Sequence, residues 1–243
     1  MNLIVDIGNT SVKMAVFQGN SLQEKWVFPL SDFFKIFQEI LNQYPEIGAS
    51  ILSSVVNSVS EEKKLLQKHT KLVELTPILS FPFKNKYATP SSLGKDRIAL
   101  VAAATAQFPT KNTLVIDAGT CVTYDFKNAK EEYLGGAISP GLEMRFKALH
   151  KFTAKLPLLK PEGKFELTGN STETSIVSGV INGLLLEIDG TIAAYATEYE
   201  DLTIILTGGD TQFLSMRLKN GIFANSNFLL EGLNYILEFN KTQ

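Results

Sequence analysis

The feature that most restricts how this chain can fold is a strand-turn-strand pattern that occurs twice. Leu3 to Ile7 is an apolar run ending at Asp6-Ile7-Gly8-Asn9-Thr10, and Val12 to Phe17 resumes with broadly alternating apolar residues. That reads as a β-hairpin. The run Leu114-Val115-Ile116-Asp117-Ala118-Gly119-Thr120 repeats the order of apolar strand, Asp, any residue, Gly and small polar residue, and Val122 to Phe126 supplies the second arm. The two aspartates stand 111 residues apart. Such self-similarity predicts a tandem duplication of one βαβ-type lobe. Lys111-Asn112 is the expected boundary, giving an N-terminal lobe of residues 1–112 and a C-terminal lobe of residues 113–243.

Between the repeats the pattern is mixed α/β. Trp26-Val27 ends a third strand. From Ser31, read as an N-cap, Phe33, Phe34, Phe37, Ile40 and Leu41 recur at helical spacing until Pro45. Ala49 to Val56 is expected as a strand, Ser60 opens a second helix, and Lys71 to Leu75 is a short strand. Phe81 to Ser92, with Pro82 and Pro90, is a loop, and the Ala-rich Ile98 to Ala106 is helical. In the second half Pro140-Gly141 opens a helix towards His150, and Leu156 to Gly169 is an irregular loop. Thr172 to Tyr199 is the longest helical pattern. Thr203 to Leu206 is a strand, Thr211 to Leu218 a short helix and Phe228 to Phe239 a terminal helix.

Composition removes several classes of function. Residues of the AVILMFWYC set make up 44% of the 243, enough to bury a core and unlike a disordered or fibrous chain. Lys and Arg number 23 against 25 Asp and Glu, so no general basic field is available for a nucleic acid or an anionic membrane. A small-molecule partner is expected, with neither nucleic acid nor membrane. The single Cys121 cannot form an internal disulfide, and His69 and His150 are too few and too distant for a zinc cage. Asp6 interrupts any apolar signal core, and no run of about 18 uncharged apolar residues follows. A cytoplasmic location is expected.

Several motifs could carry chemistry. Asp6-Ile7-Gly8-Asn9-Thr10, with Lys13 close behind, places a carboxylate at a strand end and a glycine in a turn whose backbone N–H groups can approach phosphate oxygens while the Asp holds hydrated Mg²⁺. Alone it equally describes a hairpin turn with an Asx bond. The second copy, Asp117-Ala118-Gly119-Thr120, makes a pair of phosphate loops the better reading. Thr207-Gly208-Gly209 ends a strand where missing side chains would admit an adenine. Gly94-Lys95-Asp96-Arg97 follows a polar loop containing Tyr87 and sets a carboxylate beside a guanidinium at a helix start. It is not a Walker A loop, since Thr89 stands at the earlier glycine position and Asp96 follows the Lys; G-x-G-x-x-G is also absent.

Taken together with Gly136-Ala137-Ile138-Ser139-Pro140-Gly141, these residues resemble the type III pantothenate kinases, in order and spacing along the whole chain. The resemblance implies an α/β fold of two duplicated ribonuclease H-like (actin-like) lobes, each a mixed β-sheet with flanking helices, with nucleotide in the cleft between them. It implies ATP-dependent phosphorylation of the primary hydroxyl of pantothenate, the first step of coenzyme A biosynthesis. ATP with Mg²⁺ and K⁺ or NH₄⁺ are the implied cofactors, and a homodimer the implied assembly. Carried over by residue, Asp6, Ile7, Gly8, Asn9, Thr10, Ser11, Val12, Lys13 and Thr120 surround the ATP phosphates, Asp6 holding Mg²⁺ through water. Asp117 ligates the monovalent cation. Asp96 is the base, and Tyr87, Gly94, Lys95, Asp96, Arg97 and Thr172 contact pantothenate. Arg97 suits either the substrate carboxylate or the moving phosphate. Two other readings stay open: a kinase for another small alcohol or a sugar on the same fold, and a nucleotide-binding regulator without turnover.

Overall fold

The computed structural model describes residues 1–56, 59–163 and 165–241. The first elements in chain order are β1 (Asn2–Ile7), β2 (Val12–Gln18), β3 (Ser21–Phe28), α1 (Phe33–Gln43), β4 (Ala49–Ser54), α2 (Ser60–His69), β5 (Lys71–Glu74), β6 (Lys84–Asn85) and α3 (Lys95–Gln107). They are followed by β7 (Thr113–Ala118), β8 (Cys121–Lys127), β9 (Glu132–Pro140), α4 (Leu142–Lys151), α5 (Thr172–Glu198), β10 (Thr203–Thr207), α6 (Thr211–Ser215), β11 (Phe223–Ala224) and α7 (Phe228–Lys241).

Alternation along β1 decides the first sheet. Leu3, Val5 and Ile7 point to one face, where Phe33, Phe37 and Ile40 of α1 and Leu66 of α2 cover them. Asn2, Ile4 and Asp6 share the opposite parity. β1, β2 and β3 are antiparallel neighbours, β4 runs parallel to β1 and β5 parallel to β4, in the order β3-β2-β1-β4-β5. On the Asn2 side α7 packs against α3, β1 and β4. The approach is close because Gly232 has no side chain: a Cβ there would overlap the Ala99 carbonyl of α3. Asn2 Nδ2 donates to Asn234 Oδ1 at 2.7 Å and to Glu238 Oε1 at 2.5 Å, tying the first strand to the last helix.

The second sheet repeats the plan. β7, β8 and β9 are antiparallel neighbours, β10 runs parallel to β7 and β11 parallel to β10, so these strands lie in the order β9-β8-β7-β10-β11. Both sheets therefore have the ribonuclease H-like order. Leu114, Ile116, Val122, Tyr124 and Phe126 pack against Ile176, Val180, Leu184 and Ile188 of α5. By length and composition α5 could cross a bilayer, yet that buried stripe lines the core as a central helix does.

The structure departs from the sequence expectations in a few places. The compact units are Met1–Pro109 with Asn227–Gln243, and Thr110–Ser226. The partition thus falls just before the expected 112/113 boundary, and the terminal helix, expected with residues 113–243, joins the first unit through α3, β1 and β4. Ser31 does not cap α1. Leu30–Asp32 forms a 3₁₀ turn, Asp32 holds the cap position without a side-chain cap bond, and Ser31 Oγ donates to Asp32 Oδ1 at 3.2 Å. α3 begins at Lys95, three residues before Ile98, since its polar first turn is still helical. β6, β9 and β11 were not expected as strands, β6 lying inside the expected loop from Phe81 to Ser92. Of the expected loop 156–169, Lys164 lies outside the described residues, as do Thr242 and Gln243 of the C-terminal lobe.

Candidate functional site

The first turn is set by strand register. Ile7 pairs with Val12, leaving Gly8 to Ser11 as the connection, and the Gly8 N–H donates to the Ser11 carbonyl at 3.0 Å. Asn9 and Thr10 are exposed at its tip, with Gly8, Ser11 and Lys13 half-buried. Asp6 has Lys13 beside it in register on β2 and Ser53 in register on β4. Burial raises the Asp6 carboxyl above the ordinary carboxylate range; Lys13 and a hydrogen bond from Ser53 oppose the rise, and the charge of Asp96 adds to it. The first turn of α3 therefore brings Asp96 within electrostatic reach of Asp6. Sequence reasoning did not single out Ser53, because its place beside Asp6 exists only once β4 pairs with β1.

Of the expected substrate group, Tyr87 and Gly94 to Arg97 lie together before and at the start of α3. The Arg97 N–H donates to Asp96 Oδ1 at 2.9 Å, and a Cβ on Gly94 would overlap that same oxygen, so the glycine makes room for the carboxylate. Arg97 is 5% exposed, and its guanidinium carbon lies 5.4 Å from the centroid of the Tyr87 ring, a cation–π arrangement. Tyr87 is held through its N–H, which donates to Asn85 Oδ1 at 3.0 Å. Lys95 is half-buried in the same turn.

The second turn is tighter. Ala118 pairs with Val122, and the Gly119 N–H donates to the Cys121 carbonyl at 2.9 Å, with Thr120 exposed at the tip. Asp117 stands in register with Thr123 on β8 and Thr207 on β10. The turn is walled by two glycines. The Gly141 N–H donates to the Thr120 carbonyl at 3.1 Å, and a Cβ on Gly141 would overlap the carbonyl oxygens of Gly119 and Thr120. Gly208 has φ +96°, and a Cβ there would overlap the Ala118 carbonyl and Asp117 Oδ1. The space beside Gly208 is thus filled by the Asp117 turn, while a Cβ on Gly209 would meet open space. Only Gly209 keeps the openness that an approaching flat base needs.

Thr172 is at the first position of α5, exposed, and on the rim of a cavity of about 770 Å³. Asn170, Ser171 and Thr172 give that cavity a polar side; Leu149, Leu156 and Ile176 give it an apolar one. The polar end is fixed by a capping box, in which Ser171 Oγ accepts the Thr174 N–H at 3.2 Å and Thr174 Oγ1 accepts the Ser171 N–H at 2.9 Å. Among the described residues no three His, Cys, Asp or Glu side chains converge as a metal cage. An ion at either aspartate would be completed by backbone oxygens, waters or phosphate.

Comparison with known proteins identifies the family. A family model described as type III pantothenate kinase matches residues 2–194. The chain is 61% identical over 243 residues to the type III pantothenate kinase of Christiangramia forsetii, with all of both chains covered. It is 48% identical over 239 residues to that of Flavobacterium johnsoniae, covering 98% of each. Among solved structures it is similar to a Campylobacter jejuni protein assigned to the Baf family of transcriptional activators, with TM-score 0.66 and 22% identity over 99% of this chain and all of the other. It is similar also to a glucokinase from an Antarctic psychrotroph, with TM-score 0.53 and 14% identity over 98% of each. These two likenesses show the fold alone. Two ribonuclease H-like sheets, an aspartate at the matching turn of each, and relatives matched from end to end lead to one conclusion: the chain belongs to the type III pantothenate kinase family.

Proposed function

We propose that this protein transfers the γ-phosphoryl group of ATP to the primary hydroxyl of pantothenate, giving 4′-phosphopantothenate for coenzyme A biosynthesis. The observation that carries the reading is the placement of Asp96 on the first turn of α3, near Asp6 and bonded to the Arg97 N–H. Phosphoryl transfer through a loose transition state asks a protein chiefly to position the reactants and offset charge. In this reading the turn from Asp6 to Lys13 and the hydroxyl of Thr120 hold the phosphates. Asp96 accepts the proton of the attacking hydroxyl. Tyr87, Gly94 to Arg97 and Thr172 hold pantothenate, whose carboxylate and hydroxyls match a guanidinium, a phenol and a hydroxyl.

The chemistry at Asp6 suits Mg²⁺ held through water: a half-buried carboxyl whose ionised form is disfavoured by desolvation, with Asp96 close by, gains from a cation next to it. Asp117, half-buried at its strand end, would hold K⁺ or NH₄⁺. When bound, these ions supply positive charge that offsets the phosphates. We place the protein in the cytoplasm as a homodimer. The exposed side of α5, where a Cβ on Gly179, Gly183 or Gly190 would meet open space, allows the close backbone approach that a second copy would need.

The test is a coupled ADP-release assay with pantothenate, glucose and glycerol in K⁺, Na⁺ or Tris buffers. Turnover with pantothenate that depends on K⁺ or NH₄⁺ is expected, and an Asp117→Ala variant should lose the potassium response. Faster phosphorylation of glucose or glycerol would overturn the substrate; equal rates in sodium would overturn the cation role.

A further inference from the structure

The proposed reaction gives no task to Gly136 to Gly141, a segment that the sequence singles out. Its last residue supports the second phosphate turn: the Gly141 N–H is bonded to the Thr120 carbonyl, at a contact too close for a side chain. Gly141 follows the end of the β8–β9 ladder, where Cys121 faces Pro140 and Val122 faces Ser139, and a guanidinium braces that end. Arg145, one turn into α4, reaches back so that its Nε donates to the Pro140 carbonyl at 2.8 Å and its Nη2 to Ser139 Oγ at 2.9 Å. The same Nη2 pairs with Glu187 Oε2 on α5. Glu187 is fixed in turn, since Tyr124 OH of β8 donates to its other oxygen at 3.0 Å. Burial alone would raise the Glu187 carboxyl, but hydrogen bonds from Arg145, Ser139 and Tyr124 hold it below the usual range. It is therefore an anion at neutral pH.

We infer that Arg145, anchored by Glu187, is a positioning residue for ATP: its grip on Ser139 and Pro140 keeps Gly141 against Thr120 and so holds the second phosphate turn in its working place. The inference rests on the reading that Thr120 contacts the phosphates. Arg145 itself touches the turn only through the Ser139-Pro140-Gly141 junction. A planar fork suits the task, because one group must meet a carbonyl, a hydroxyl and a carboxylate at once.

Three variants test it by steady-state kinetics and thermal unfolding: Arg145→Met, the double variant Arg145→Met with Glu187→Gln, and Thr120→Val. Arg145→Met should raise KM for ATP about three- to tenfold and leave KM for pantothenate within about twofold. Its Tm should also fall, since Glu187 keeps a charge without its guanidinium. Adding Glu187→Gln removes that charge and keeps an oxygen for Tyr124, so Tm should recover while KM for ATP stays raised. If KM for ATP returns to the wild-type value together with Tm, Arg145 only stabilises the fold and the inference fails. It fails also if Arg145→Met leaves KM for ATP unchanged while Thr120→Val raises it. If Thr120→Val leaves KM for ATP unchanged, the phosphate role of Thr120 falls first and takes the inference with it.

Discussion

At the first hairpin turn the aspartate faces a lysine across the ladder; at the second the corresponding neighbour is a threonine. The first connection has four residues, and a Cβ on Gly8 would come no nearer than 3.3 Å to the Ser11 carbonyl. The second is closed by Gly141 on one side and Gly208 on the other, each already against backbone oxygens. One duplicated pattern has thus acquired two different surroundings. Around Asp6 the neighbours act through charge, with Lys13 and Asp96 pulling its ionisation in opposite directions. Around Asp117 the two glycines leave no room for added volume. Changes of size should therefore damage the second turn more than the first.

The largest expected effect tests the charged side. Asp96→Asn should lower kcat by about 10²- to 10⁴-fold with little change in ATP affinity, and turnover near the wild-type rate would remove Asp96 as the base. The crowded side comes next. Gly141→Ala or Gly208→Ala should each cost about 1–3 kcal/mol in urea unfolding, whereas Gly8→Ala should cost less than about 1 kcal/mol. Equal costs at the three glycines would erase the distinction between the turns.

The Asp6 carboxyl supplies a pH test of the same contrast. Its folded pKa lies above the unfolded one, so the folded chain holds that proton more tightly. The stability it contributes is complete below the unfolded value and is lost as pH rises through the folded value. Asp6→Asn should consequently melt higher than wild type at neutral pH while losing Mg²⁺-dependent ATP turnover, and the gap in Tm should close on acidification. A gap independent of pH would mean that Asp6 is not the group responsible. The smallest effect concerns Thr172, at the start of α5. Thr172→Ala should raise KM for pantothenate by up to about tenfold and spare KM for ATP; the reverse pattern would move Thr172 to the nucleotide.

Most strands and helices were legible because their periodicity is local. Leu3 to Ile7 and Leu114 to Ile116 declare buried strands, and Phe33, Phe37 and Ile40 declare one face of α1. β9 was hidden because Gly135, Gly136 and Pro140 break its alternation, although Gly136 is there for contact: a Cβ would overlap the Tyr124 carbonyl of β8. Gly208 misled in the opposite sense, its missing side chain serving the Asp117 turn. The attachment of α7 to the first unit had no local signal, since a helix does not carry in its own periodicity the name of the sheet it will cover. Gly232 and the alanines of α3 would have hinted at a close helix pair. Arg145 could not be found from spacing, because its carbonyl, hydroxyl and carboxylate partners come from different elements.

The return of α7 to β1 also sets the timetable of biosynthesis. Asn2 and Glu238 are bonded across 236 positions of sequence, and α7 leaves the ribosome only after the whole of Thr110–Ser226 has been made. Until then β1, β4 and α3 wait with the surface that α7 covers still open. Such long-range closure slows folding and exposes apolar surface to aggregation meanwhile. A nascent chain halted before Phe228 would possess every strand of its first sheet and still lack the helix that seals it.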